Sequence, residues 1–115
     1  MYISWGSNEA YTAVHWIRFA HRVKKRGGKI IVINTIRIPL ANQADMFIQL
    51  KPSSDPAFCL AVCKVLIEED LYNHEFVEKY TMGFDELVHE CSLYTYGELS
   101  NMCGASVDQI KVFAR

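Results

Sequence analysis

Lys29-Ile30-Ile31-Val32-Ile33-Asn34 is the stretch on which the fold turns. Four consecutive branched aliphatic residues, with no polar residue alternating between them, suit a strand covered on both faces, as strands of a parallel sheet are. Immediately upstream, Gly27-Gly28 can adopt the left-handed backbone that closes a helix. Before it, Ala13, Val14, Trp16, Ile17, Ala20 and Val23 recur at three- and four-residue steps, so the pattern predicts an amphipathic helix from Glu9 to about Arg26 with a basic last turn. Earlier still, Tyr2-Ile3-Ser4-Trp5 reads as a strand that ends in the turn residues Gly6-Ser7-Asn8. The order is strand, helix, strand.

Downstream of Asn34 the segment to Ala44 contains Pro39 and keeps no period, which predicts a loop with at most one short helical turn. Met46 to Leu50 gives a third short strand, closed by Lys51-Pro52-Ser53-Ser54. Ser54 or Asp55 can cap a following helix whose broad apolar set, Phe58 to Ile67, predicts deep burial against the sheet and an end near Glu68-Glu69-Asp70. The remainder reads as small helices: Asn73 caps the first, Gly83 precedes the second, Gly104 stops the third, and Ser106 caps the last. The expected architecture is a single α/β domain over residues 1–115, a Rossmann-like, open, mostly parallel three-layer sheet with small C-terminal helices. Its core spans 1–71 and its helical extension 72–115.

Composition narrows the function classes. Twelve basic and thirteen acidic side chains nearly cancel, so no overall field draws the chain to nucleic acid or to an anionic membrane. No apolar run reaches the roughly 20 residues needed to span a bilayer. Cys59, Cys63, Cys91 and Cys103 include no C-x-x-C pair, which argues against a metal site, and a chain this rich in aliphatic residues needs no disulfide framework. His15, His21, His74 and His89 stand in helical segments with no nucleophile in register, so no catalytic residue is assigned.

In open parallel sheets, ligands bind beyond the carboxyl ends of the strands. Three loops occupy that edge here. Gly6-Ser7-Asn8 offers a close backbone approach and hydrogen-bonding side chains before a helix, suited to a phosphate or to a plain turn. Asn34 stands where a nucleotide-binding fold places a ribose ligand, and Arg37 nearby can meet a phosphate or lie in solvent. Asp55, after Ser53 and Ser54, carries a carboxylate suited to the paired N–H groups of a guanine edge, or to a helix cap.

Taken in order, these segments resemble one family over essentially the whole chain. Trp5-Gly6-Ser7-Asn8 with Thr12 is similar to the W/I-G-x-N-P-x-x-T segment of molybdopterin oxidoreductases of the dimethyl sulfoxide reductase type. Lys29 to Asn34, through Pro39, Ala41, Ala44 and Asp45, resembles K-x-I-V-I-D-P-R-x-T-x-T-A-x-x-A-D. Leu50 to Ala57 resembles L-R-P-G-T-D-x-A, and Leu66 to Val77 resembles I-x-E-x-L-Y-D-x-x-F-V. Thr81 to Leu87 has its counterpart as well.

The resemblance implies a cofactor-holding, internal piece of a larger bis(molybdopterin guanine dinucleotide) enzyme of prokaryotic cytoplasm or periplasm, concerned with electron transfer and inert alone. It places Gly6, Ser7 and Asn8 by the phosphates and pterin side of one guanine dinucleotide, Asn34 by its ribose and Asp55 by the guanine, with Arg37 and Ser54 as further candidate cofactor-binding residues. Molybdenum or tungsten is not ligated by these residues, and the partners implied are the remaining domains of the parent. Departures from the pattern are Glu9 for Pro, Asn34-Thr35-Ile36 for Asp-Pro-Arg, and Ser53 for Gly. They motivate an alternative, a non-catalytic α/β interaction or structural module that has lost the cofactor. A small nucleotide-binding regulator would instead prefer adenine or phosphate-rich ligands over guanine. An edge strand with unpaired backbone groups further predicts self-association of the chain.

Overall fold

The computed structural model describes all 115 residues, and its backbone divides into two compact units, Met1–Leu50 and Lys51–Arg115. In the first, β1 (Tyr2–Trp5), β2 (Ile30–Asn34) and β3 (Met46–Gln49) form one sheet in the order β1-β2-β3, with both pairings parallel. Tyr2 stands opposite Ile30, and Ile31 opposite Met46. The aliphatic run of β2 behaves as its composition requires: Ile30, Ile31, Val32 and Ile33 are all buried. Ile30 and Val32 share a core with Ala20, Ile38, Leu40 and Ala41, flanked by Tyr2, Ala44 and Phe47.

The helical segment after β1 differs from the continuous helix its periodicity predicts. It is two helices, α1 (Glu9–Thr12) and α2 (Val14–Lys25), parted at Ala13, which leaves the helical basin with φ −150° and ψ 51°. The Thr12 hydroxyl donates to the Asn8 carbonyl oxygen, which already receives the Tyr11 and Thr12 amides, so the first turn closes on itself. α2 ends as expected, Gly27 taking φ +75° while the Gly28 amide donates back to the Val23 carbonyl. The loop after β2 contains one 3-10 turn, Pro39–Asn42. Asp45 then ties the start of β3 to that of β2: its carboxylate accepts from the Ile30 amide at 2.8 Å and pairs with Lys24, while its own amide donates to the Ile30 carbonyl oxygen.

The second unit is helical: α3 (Asp55–Glu68), α4 (His74–Tyr80), α5 (Phe84–Ser92), α6 (Tyr96–Cys103) and α7 (Val107–Ala114). α3 packs against α5, α6 and α7 through Phe58, Ala61 and Val65, with the Phe58 and Phe113 rings 5.5 Å apart. Asn73 caps α4 by accepting from the Phe76 amide, and Ser106 caps α7 in a reciprocal box with Gln109, both as the sequence indicates. α6 starts on a second such box, Thr95 with Glu98, and stops at Gly104, φ +87°. No helix is long and apolar enough to cross a membrane.

Candidate functional site

At the carboxyl edge of the sheet, β1 runs into Gly6, whose φ of +63° bends the chain toward α1 and whose missing side chain faces open space. The Gly6 amide is held by the Ile33 carbonyl of β2, whereas the amides of Ser7 and Asn8 take no backbone acceptor. Across the edge, Asn34 at the tip of β2 donates through Nδ2 to the Ser7 carbonyl oxygen at 3.0 Å, and its Oδ1 accepts from the Ile36 amide. The loops after β1 and β2, separated by 27 residues in sequence, are thereby joined in one place.

Arg37 belongs to the same unit but is spent locally. Its Nε donates to Asn42 Oδ1 at 3.1 Å and its guanidinium lies 5.1 Å from the centre of the Phe47 ring. Ser54 and Asp55 lie in the second unit, at the start of α3. Ser54 occupies the N-cap position without a side-chain cap bond; its hydroxyl hydrogen-bonds the carbonyl oxygens of Lys51 and Cys103 instead. With the Lys51 amide donating to Cys103, this fastens the 51–55 loop to the end of α6. Asp55 is half-buried as the first residue of α3.

Glu9 stands out in the sequence only as a departure from the family pattern, and its own position gives no sign of burial. Glu9 is only 2% exposed, and its Oε1 accepts from the Tyr2 hydroxyl at 3.3 Å while Oε2 has no partner. Burial, and secondarily the Glu9 charge, hold the Tyr2 hydroxyl above its usual range. Ser4 Oγ and Asn8 Oδ1 are likewise buried without partners. An acid in the first turn of a helix reads in sequence as a solvated, dipole-favoured residue; the signal available was that Tyr2 and Ser4 share one face of β1, two polar-capable groups where apolar ones are usual.

The donor set fits a polar, anionic, hydroxyl-bearing ligand better than a metal. Two uncommitted amides and the Asn8 side chain sit beside a glycine whose missing Cβ would meet nothing within 4 Å. No group of three or more His, Cys, Asp or Glu is arranged to hold a metal ion. The loop beyond β1, joined to the tip of β2, lies at the carboxyl edge of a parallel sheet, the edge at which open α/β folds bind their ligands.

No protein-family model matches the chain. It is similar to the probable oxidoreductase YoaE of Bacillus subtilis, with 33% identity over 115 residues, 100% of this chain and 17% of that protein. Formate dehydrogenase H of Escherichia coli is 39% identical over 92 residues, 80% of this chain and 13% of the enzyme. Among solved structures, acetylene hydratase from Pelobacter acetylenicus superposes with a TM-score of 0.88 at 30% identity, covering 97% of this chain and 16% of that one. The chain belongs to the molybdopterin oxidoreductases of the dimethyl sulfoxide reductase type, and corresponds to one segment of them. It spans 17% or less of the length of the curated relatives it matches.

Proposed function

We propose that this segment helps to hold one guanine dinucleotide of the molybdenum cofactor within a longer molybdopterin-dependent oxidoreductase. The observation that carries the reading is the Asn34–Ser7 bond, which fixes the Gly6-Ser7-Asn8 loop at the carboxyl edge of a parallel sheet with two amides uncommitted. Ser7 and Asn8 bind the diphosphate side through those amides. In the second unit, Asp55 is the residue suited to a guanine edge, in a loop that Ser54 holds. The cofactor, when bound, supplies the metal-centred redox chemistry; the residues here orient it and contribute no acid, base or metal ligand. A thiosulfate reductase subunit whose name records molybdopterin is 36% identical over 64 residues, which supports the cofactor class.

The test is calorimetric titration of the 115-residue chain with GMP and GDP against AMP and ADP, beside an Asp55→Ala variant. Guanine-selective binding, even at roughly millimolar affinity, that vanishes in the variant is the expected result. Equal response to adenine nucleotides, or none to any, overturns guanine binding by this chain. Two observations favour a second reading, an α/β module that has lost the cofactor: the Asn34 amide is satisfied by Ser7 and Ile36, and Arg37 by Asn42 and Phe47. That reading predicts no binding by the intact parent protein either, and metal analysis of that protein for molybdenum or tungsten separates the two.

A further inference from the structure

Charge is divided unequally along the chain. Residues 1–50 hold seven Lys or Arg and two Asp or Glu, whereas residues 51–115 hold five and eleven. In the first unit the excess gathers on α2 and its end. Arg18, Arg22, Lys25 and Arg26 are exposed and make no ion pair. Two aromatic residues stand among them, Trp16 at 56% and Phe19 at 47% exposure, with ring centres 5.3 Å apart. The Arg22 guanidinium lies 5.7 Å from the Phe19 centre, so Trp16, Phe19 and Arg22 make one ladder at three-residue steps along the outer side of α2. Aromatic and arginine side chains so placed are the types that carry protein contacts, and charge around them adds steering.

The second unit carries a surface of opposite sign. A cavity of about 260 Å³ is lined mainly by Leu66, Ile67, Val77, Phe84 and Leu87. It adjoins a cleft of about 500 Å³ lined by Glu78, Asp85, Glu86 and by Met82, which is 96% exposed. Those three carboxylates also make no ion pair. An apolar floor inside an acidic rim is the complement of an aromatic ridge inside a basic rim, and it matches the arrangement of stable protein contacts, apolar at the centre and polar at the edge.

We propose that these surfaces are the two halves of one contact: the Trp16–Phe19–Arg22 face of one copy of the chain docks into the acidic groove between α4 and α5 of a second copy. The contact is head-to-tail, because the two patches differ, so it propagates with concentration unless a ring closes. It is independent of the cofactor reading and of the open edge of β1.

Sedimentation of the 115-residue chain across concentration tests it. Association is expected at low salt, and the association constant should fall at least about tenfold toward 1 M salt, where the screening length is about 3 Å. Arg18→Glu with Arg22→Glu should leave the chain monomeric, as should Asp85→Lys with Glu86→Lys. Mixing the two variants should restore association, since each then offers the other a complementary face. Circular dichroism confirms that the folds persist; if a reversal unfolds, Arg18→Gln with Arg22→Gln should still weaken association. A chain monomeric at every concentration and salt overturns the proposal. So does association that survives both reversals, which would put the contact at a site such as the β1 edge.

Discussion

Asn34 Nδ2 donates to the Ser7 carbonyl oxygen at 3.0 Å, so the tip of the central strand holds the loop that leaves its neighbour. A carboxylate cannot make this bond, because it has no proton to give at neutral pH and would set a negative charge against the carbonyl dipole. The family pattern has an acid at this position, and the amide therefore does work here that the acid could not do in the same way. Asn34→Asp should destabilise the chain by about 1–3 kcal/mol, the range for leaving a part-buried polar group unsatisfied. Asn34→Ala should cost less than Asn34→Asp. Urea unfolding decides the matter, and an Asp variant as stable as the parent would remove the clasp from the account.

Ser53 is held at φ +61°, a left-handed conformation that glycine adopts freely and a side chain does not. The family pattern that the sequence resembles has Gly there, so the present chain carries a strain that the pattern avoids. Relief of the left-handed penalty, about 1–2 kcal/mol, outweighs the added unfolded-state freedom of glycine, about 0.5–1 kcal/mol. Ser53→Gly should then raise stability slightly, by up to about 1 kcal/mol. Gly6→Ala is the mirror experiment: its Cβ meets nothing within 4 Å, yet φ +63° should cost about 1 kcal/mol through backbone strain alone. Equal stabilities for parent and both variants would show that neither loop is held in the conformation described.

Glu68 lies below its ordinary value of about 4.5, chiefly because the Tyr96 hydroxyl donates to it at 2.7 Å and then because Lys64 does. Tyr96 is pushed well above its own ordinary value, first by burial and then by that same bond. A depressed carboxylate stabilises the fold above its unfolded value, and this is lost as pH falls through the folded value; a raised phenol stabilises below about 10, and this is lost as pH rises further. Tyr96→Phe should therefore shallow the loss of stability on the acid side below about pH 4.5 and move the Glu68 titration upward, both readable by NMR. A Glu68 titration unchanged in the variant would assign the shift to Lys64 and Lys111.

The elements that sequence revealed are those specified locally. β2 was legible in four branched residues, the end of α2 in Gly27-Gly28, and the start of α4 in Asn73, because each signal lies within one turn of its effect. The break at Ala13 was not, since alanine is the best helix former and its departure follows from Thr12 and Asn8 closing the turn before it. Of the site, the Gly6 loop and the position of Asn34 were readable from where strands end. That Asn34 reaches Ser7, that Arg37 is drawn to Asn42 and Phe47, and that Glu9 is buried beneath Tyr2 all depend on packing that no spacing encodes.

Three side chains cap helices by the same chemistry, and the packing of each helix decides what their removal does. Thr95 and Ser106 start α6 and α7, which bury Leu99, Cys103 and Ile110 in the second unit. Thr95→Ala and Ser106→Ala should each lower global stability by about 1 kcal/mol, because fraying these helices uncovers core. Asn73 starts α4, which has no fully buried residue. Its opening exposes little apolar surface, so it can come loose without the remainder unfolding. Asn73→Ala should leave the urea midpoint nearly unchanged while speeding amide hydrogen exchange across His74–Tyr80 by about fivefold or more, the equilibrium equivalent of losing about 1 kcal/mol locally. Exchange in α4 that remains as slow as in α6 would show that α4 opens only with the whole unit.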